Sequence, residues 1–232
     1  MTRPVILEPE AAYALWAASY PAFAHNPVMR AEERAMLALL PTDLREQAVL
    51  DAGCGSGRYL RHVARRGATR LTGVDLSLPM LERAYGELAD LRPDTELTLL
   101  RGSVVELPVE DARADLTISG LVLGHIDDLP RALAELRRAT KPGGSLLCSD
   151  FHPTGHALGW LRDFKAGGER YAVRHTPHLY SHWHRACAAL DLAIEEVREP
   201  MLDPADIPAN ARFDPIALDV PVALVFRLRR HG

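Results

Sequence analysis

The sequence predicts an α/β fold: a doubly wound, mostly parallel sheet of seven strands with helices on both faces. Three observations carry that expectation. Short apolar runs alternate with helical periodicity between residues 48 and 149. The first run empties into a turn with glycine at every second position, Gly53, Gly55 and Gly57. The second run ends on an acid, Asp75. Strand, glycine turn, helix, strand and acid, in that order, is how a parallel sheet builds a nucleoside site.

The elements follow in order. Residues 10–40 read as helical, interrupted at Pro21 and Pro27. The last piece has Ala35, Met36, Leu39 and Leu40 at helical spacing, and Pro41 ends it. Residues 48–51 are strand one. Residues 58–66 are a helix with Leu60, Val63 and Ala64 on one face and Gly67 as its stop. Strand two is 71–75, and a helix over 79–91 is capped by Ser77. Strand three is 96–100 and strand four 115–119. A helix over 129–140 carries Leu133, Leu136 and Arg137 at helical spacing. Lys141-Pro142-Gly143-Gly144 is a turn into strand five, 145–149. The stretch 150–180, rich in Gly, Pro, His and aromatics, is expected to be an irregular cap over the sheet's C-terminal edge, where ligands bind in open α/β sheets. A helix over 181–190, strand six over 193–197 and a final strand over 220–228, with Pro221 near its start, complete the pattern. No composition shift marks a linker, so residues 1–232 are expected to form a single domain.

Composition narrows the classes. The chain has 232 residues, is 47% hydrophobic and has a formal net charge of -4. No Lys/Arg-rich block gives an electrostatic footprint for nucleic acid. No apolar run approaches a membrane span. Glu8 and Glu10 precede any apolar stretch, which does not read as a signal peptide. Cys54, Cys148 and Cys187 are far apart and form no C-x-x-C pair, so a cytoplasmic location is expected.

The loop Asp51-Ala52-Gly53-Cys54-Gly55-Ser56-Gly57 carries the chemistry. Its glycines let backbone approach a ligand closely. Asp75 can accept both hydroxyl hydrogens of a ribose. The spacing is G-x-G-x-G rather than the dinucleotide G-x-G-x-x-G. Asp51 at the head of the loop would repel a diphosphate and suits a cationic or amino-bearing ligand. S-adenosylmethionine joins adenosine, a sulfonium and an amino-acid tail, and is the expected cofactor, leaving S-adenosylhomocysteine.

On these residues the chain resembles the class I S-adenosylmethionine-dependent methyltransferases, of the type acting on small molecules and quinone precursors. The resemblance covers about residues 30–150 and implies the Rossmann-like methyltransferase fold. Asp51, Gly53, Cys54, Gly55 and Gly57 stand in the first motif, whose backbone would wrap the methionine portion, with Asp51 serving its ammonium group. Asp75 and Leu76 stand in the second, with Asp75 on the ribose. Met80 would lie against the adenine. Gly102, Ser103 and Val104 occupy the third motif, where the family commonly has Asp; the Ser103 hydroxyl is a neutral, weaker acceptor for the adenine amino group. Gly120 and the downstream His125 belong to the fourth. The aromatic residues Tyr13, Trp16 and Tyr20 lie in a segment, 1–40, that forms a lid over the cofactor in relatives; packing on the sheet is the other reading. Residues 150–190 would cap the acceptor pocket.

Departures from subfamily patterns point the same way. Ser119-Gly120-Leu121-Val122 is not the Asn/Asp-Pro-Pro-aromatic run of amino-methylating nucleic-acid enzymes, no Pro-Cys dipeptide exists, and Asp150-Phe151 replaces the Asp-Asn of metal-assisted catechol methylases. The resemblance therefore implies methyl transfer to an O, N or C atom of a small-molecule acceptor, without a metal. The alternative is a methyltransferase fold that binds the cofactor for a non-methylating reaction or as a scaffold.

Methyl transfer from a sulfonium needs mainly alignment, and a base only if the acceptor must lose a proton. His125, after strand four, and His152, after strand five, are the catalytic candidates, as base or as orienting group. A structural histidine is the other reading of His125. Asp150 could orient His152. Six of the ten histidines, His152, His156, His175, His178, His182 and His184, cluster between 152 and 184. A polar pocket lining plus surface histidines is preferred over a metal site, because no H-E-x-x-H pattern accompanies them. Arg162, Arg170 and Arg174 either meet an anionic acceptor or are solvated. No feature specifies an oligomeric state.

Overall fold

The computed structural model describes residues 3–209 and 213–232. In chain order it contains β1 (Val5–Leu7), α1 (Pro9–Trp16), α2 (Pro27–Leu39), β2 (Ala48–Ala52), α3 (Arg58–Arg65), β3 (Arg70–Asp75), α4 (Leu78–Glu87), β4 (Glu96–Arg101) and β5 (Ala114–Gly120). Then come α5 (Leu129–Ala139), β6 (Thr140–Phe151), α6 (Pro153–Ala157), β7 (Asp163–Ala166), β8 (Glu169–Val173), α7 (Tyr180–Ala189), β9 (Leu192–Arg198) and β10 (Ala223–Arg230). Seven strands form one sheet in the order β4-β3-β2-β5-β6-β10-β9. All are parallel except β10, which runs antiparallel to both β6 and β9.

The sheet is doubly wound. Leu133 and Leu136 of α5 and Trp183 and Cys187 of α7 pack with Leu50, Leu146 and Phe226 on one face. Met36 and Leu39 of α2, Leu60 and Val63 of α3 and Leu81 of α4 pack with Val49, Ile118 and Val225 on the other. Adjacent residues Val49 and Leu50 thus serve opposite cores, as the two-residue repeat of a strand requires. Buried on both faces, β2 reads as the unbroken run Ala48-Val49-Leu50.

Three local expectations differ from the structure. Residues 141–144 lie inside β6 rather than before it: the pairing passes from Ala114↔Thr140 to Leu116↔Ser145, so the Lys-Pro-Gly-Gly segment bulges out of a strand that starts earlier. Ser77 stands at the N-cap position of α4, yet its hydroxyl caps nothing. The stretch 150–180 is not irregular. It holds α6 and the hairpin β7–β8, whose turn Gly167-Gly168 has positive φ at both residues, 57° and 84°. A Gly-Gly pair between two strand-length runs is a hairpin signal, and its paired strands explain the weak helical periodicity there.

The hairpin does not stand alone. β1 adds to β8 in parallel, giving a second, three-stranded sheet. Trp16 of α1 stacks on Phe164 of β7 with ring centroids 4.6 Å apart and 6° between planes. Ala12, Tyr20, Met80 and Val173 join them in a small core of their own. The N-terminal segment and the post-β6 segment therefore form one body beside the C-terminal end of the main sheet. No helix among the described residues is long and apolar enough to cross a membrane.

Candidate active site

A cleft of about 900 Å³ opens at the C-terminal ends of β2, β3 and β5. β2 pairs with β3 on one side and β5 on the other, so the cleft sits where the strand order reverses, the usual ligand crevice of such sheets. Asp51, Gly53, Cys54, Gly55, Asp75, Leu76, Met80, Gly102, Ser103, Val104, Gly120 and His125 all line it. Gly57 does not. A Cβ there would stand 2.7 Å from Leu88 Cδ1, so this glycine serves the packing of α3 against the end of α4 rather than the cleft.

The loop holds its shape through Asp75. Its Oδ2 accepts the Gly55 backbone N–H at 2.8 Å and its Oδ1 accepts that of Ser77 at 2.9 Å. Gly55 has φ of 53°, a left-handed conformation that leaves its N–H aimed at the acid. Each carboxylate oxygen keeps a lone pair beyond these bonds. Burial raises the Asp75 pKa, against the lowering effect of the backbone donors.

Asp51 is 1% exposed, and its Oδ2 has no hydrogen-bond partner among the described residues. Burial first, with the neighbouring acids Asp75 and Glu32, pushes its pKa up to about 7 while Arg58 pulls it down. The Ser77 hydroxyl, also on the cleft, is likewise buried and unpartnered. Two orphaned buried polar groups facing one cleft are what a polar ligand would satisfy. Ser103, in contrast, already accepts the Val105 N–H at 3.3 Å.

Beneath the loop lies a network that the sequence did not announce. Glu32 of α2 is fully buried and accepts hydrogen bonds from Tyr59 Oη at 2.6 Å, from Ser149 Oγ, and from Arg58 Nη2 at 3.1 Å. Arg58 also pairs with Glu33 at 3.0 Å. Arg58 and Tyr59 line the cleft, so an acid on α2 holds two site residues at the start of α3. Sequence periodicity placed Ala35 and Met36 on the buried face but could not show which polar residue beside them had buried partners.

The two histidine candidates part company. His125 is 9% exposed and lines the cleft. Its Nδ1 lies 3.0 Å from the Arg174 carbonyl and its Nε2 3.0 Å from Tyr13 Oη. A carbonyl only accepts, so Nδ1 carries the proton and Nε2 accepts from the tyrosine. Burial, with the Arg162 charge nearby, holds the His125 pKa down to about 3. Burial raises Tyr13 well above the usual phenol range. His152 does not line this cleft but a neighbouring cavity that shares Arg162 with it. It is the N-cap of α6, where Nδ1 meets Thr154 Oγ1 at 2.7 Å and Nε2 meets Glu199 at 3.2 Å. Asp150 bonds His175 Nε2 at 3.1 Å instead of His152.

The other histidines disperse. His178 is buried and spends Nε2 on the carbonyls of Leu123 and Ile126. Among the described residues no group of three His, Cys, Asp or Glu could hold a metal ion. Of the three arginines, Arg170 pairs with Asp163, and Arg174 with Glu8 and Asp127. Arg162 lines the cleft, where its Nη2 donates to Tyr20 Oη at 3.1 Å. Tyr13 and Tyr20 also line it, whereas Trp16 packs against Phe164.

Comparison with known proteins supplies the family. Residues 50–148 match a methyltransferase domain model. The chain is 36% identical over 148 residues to a malonyl-[acyl-carrier protein] O-methyltransferase of Serratia marcescens, covering 62% of this chain and 52% of that one. It is 38% identical over 105 residues to a 2-phytyl-1,4-naphtoquinone methyltransferase of Trichormus variabilis, covering 44% and 46%. The chain spans about half the length of these curated relatives. The crystal structure of an S-adenosylmethionine-dependent methyltransferase from Mesorhizobium loti superposes with a TM-score of 0.69 at 29% identity, over 86% of this chain and 98% of that one. With this fold, a cleft at the strand-order reversal and the acid-led glycine loop upon it, residues 50–148 carry a methyltransferase domain and the chain is similar to the S-adenosylmethionine-dependent methyltransferases.

Proposed function

We propose that this protein transfers a methyl group from S-adenosylmethionine to an O, N or C atom of a small-molecule acceptor. One observation carries the reading: Asp51 and Asp75 end neighbouring strands and face one cleft, with the glycine loop between them and a buried Asp51 oxygen lacking a partner. S-adenosylmethionine supplies a methyl already activated on a sulfonium, so displacement asks mainly for alignment and exclusion of water.

The chain's own residues divide that work. Asp51 accepts from the ammonium group, directly or through water, and the backbone of Gly53, Cys54 and Gly55 wraps the methionine portion, with Gly120 opposite. The free lone pairs of Asp75 take the ribose hydroxyls. Leu76, Met80 and Val104 face the adenine, and Gly102 and Ser103 its edge. His125 stays neutral and has both ring nitrogens engaged, so it acts as an orienting group for the Tyr13 hydroxyl rather than as a base. His152 stands off the cofactor cleft, in the wall of the neighbouring cavity. The chain is read as a single domain in which residues 1–40 serve as a lid and 150–190 as a cap. A cytoplasmic setting accords with three buried free cysteines.

Calorimetry with S-adenosylmethionine and S-adenosylhomocysteine tests the reading. Micromolar binding of both, with homocysteine release on addition of an acceptor, is expected. No heat with either overturns it and leaves a scaffold protein.

A further inference from the structure

Two cavities meet at Arg162. It lines the cofactor cleft and also a second cavity of about 890 Å³ beneath the cap. That second cavity is walled largely by apolar side chains, among them Ile6, Phe151, Trp160, Leu161 and Val222. Arg162 is half-buried between the two. Its Nη1 donates to the Leu121 carbonyl at 3.3 Å and its Nη2 to Tyr20 Oη at 3.1 Å. Its guanidinium carbon stands 5.4 Å from the Tyr13 ring centroid and 5.2 Å from that of Phe151.

The contrast with the other guanidinium on the cleft is what matters. Arg58 is neutralised by Glu32 and Glu33. No carboxylate among the described residues pairs with Arg162, whose partners are a carbonyl, a phenol and aromatic faces. A guanidinium so placed has N–H donors to spare and a charge with no counter-ion, and withdrawing charge from water unpaired is costly. Its planar fork matches a carboxylate in two-point geometry. An acceptor that arrives ionised also needs no proton removed, which suits a cleft whose histidine has both nitrogens committed.

Building on the methyl-transfer reading above, we propose that the acceptor is an apolar-tailed carboxylic acid, its carboxylate held by Arg162 and its tail in the second cavity. A carboxylate oxygen bonds the methyl carbon as the carbon–sulfur bond breaks. The bonding pair stays on sulfur, which becomes a neutral thioether. The product is a methyl ester and no proton moves.

The test uses the full chain saturated with S-adenosylhomocysteine and titrated with octanoate and phenylacetate, each against its amide. At least one acid is expected to bind tenfold or more tightly than its amide. Arg162→Gln should abolish that preference and Arg162→Lys retain part of it, with the S-adenosylhomocysteine affinity of each variant reporting an intact fold. Equal binding of acid and amide in both pairs, or a preference that survives Arg162→Gln, overturns the proposal. With methyl-labelled cofactor, label on the bound acid should be released as methanol by mild base. No ester from any bound acid, or base-stable label on p-cresol or octylamine instead, also overturns it. The last outcome leaves methyl transfer standing, whereas failure of the unmodified protein to bind either cofactor form removes the underlying reading itself.

Discussion

The two halves of the cleft are built on different principles. On the proposed cofactor half, the polar ligand-facing groups are mainly backbone atoms and strand-end acids from the parallel part of the sheet. Gly55 and Asp75 are 20 residues apart and joined by a single hydrogen bond across two paired strands. On the acceptor half, two polar contacts join segments more than a hundred positions apart. Tyr13 meets His125 across 112 positions and Tyr20 meets Arg162 across 142. The first half inherits its precision from the sheet's hydrogen-bond ladder. The second depends on the docking of α1 onto the three-stranded sheet through Trp16 and Phe164. A cofactor common to a family suits the ladder-fixed half, and an acceptor that differs among members suits the docked one.

The contrast can be broken most forcefully at Glu32. Glu32→Ala leaves Arg58, Tyr59 and Ser149 without their buried partner and should cost about 3–5 kcal/mol of stability, read from urea unfolding. If stability is unchanged, the network beneath the loop is not what holds the cofactor half rigid. Next in size is Asp75→Ala, expected to weaken S-adenosylmethionine binding by about 1.5–3 kcal/mol through lost charge-assisted hydrogen bonds and the slackened Gly55 turn. Acceptor-side ligands should bind this variant as before; if they weaken equally, the halves are not independent.

Asp51 gives the contrast a pH signature. With its pKa pushed up to about 7, the acid is largely protonated below that pH in the free protein. Binding an ammonium group favours the carboxylate, so binding should release a proton, and affinity should fall toward acid by up to about tenfold per pH unit. Calorimetry in buffers of different ionisation heat measures that proton. Uptake instead of release would take Asp51 away from the ammonium group. The smallest effect belongs to Tyr13→Phe, which removes one neutral hydrogen bond to His125. It should lower stability by about 0.5–1.5 kcal/mol and raise the acceptor KM several-fold with cofactor affinity unchanged. A matching loss of cofactor affinity would place Tyr13 on the wrong half.

The same division decides what could be read from residue order. Asp51, Gly53, Gly55 and Asp75 were legible because strand ends and the intervening turn obey local rules. Gly57 belonged to the same pattern but packs on Leu88, since periodic glycine spacing does not say which neighbour approaches. Glu32 was hidden because a buried acid is recognisable only through its partners, and these come from α3 and β6. His152 was nominated from its place after strand five, yet the turn into α6 spends its ring on Thr154 and Glu199. The Gly167-Gly168 hairpin carried a local signal, but its pairing with β1 did not.

Residue order alone determined the doubly wound sheet and the acid-led loop, because strand alternation, glycine conformation and the position of Asp75 are properties of neighbouring residues. Tertiary structure alone decided that α1 and the post-β6 hairpin join as one body, that Arg162 has no counter-ion among the described residues and that His125 rather than His152 faces the cleft. Those facts turn on contacts such as Trp16–Phe164, Tyr13–His125 and Tyr20–Arg162, between segments more than a hundred residues apart, where packing and desolvation choose the partner and sequence spacing carries no information.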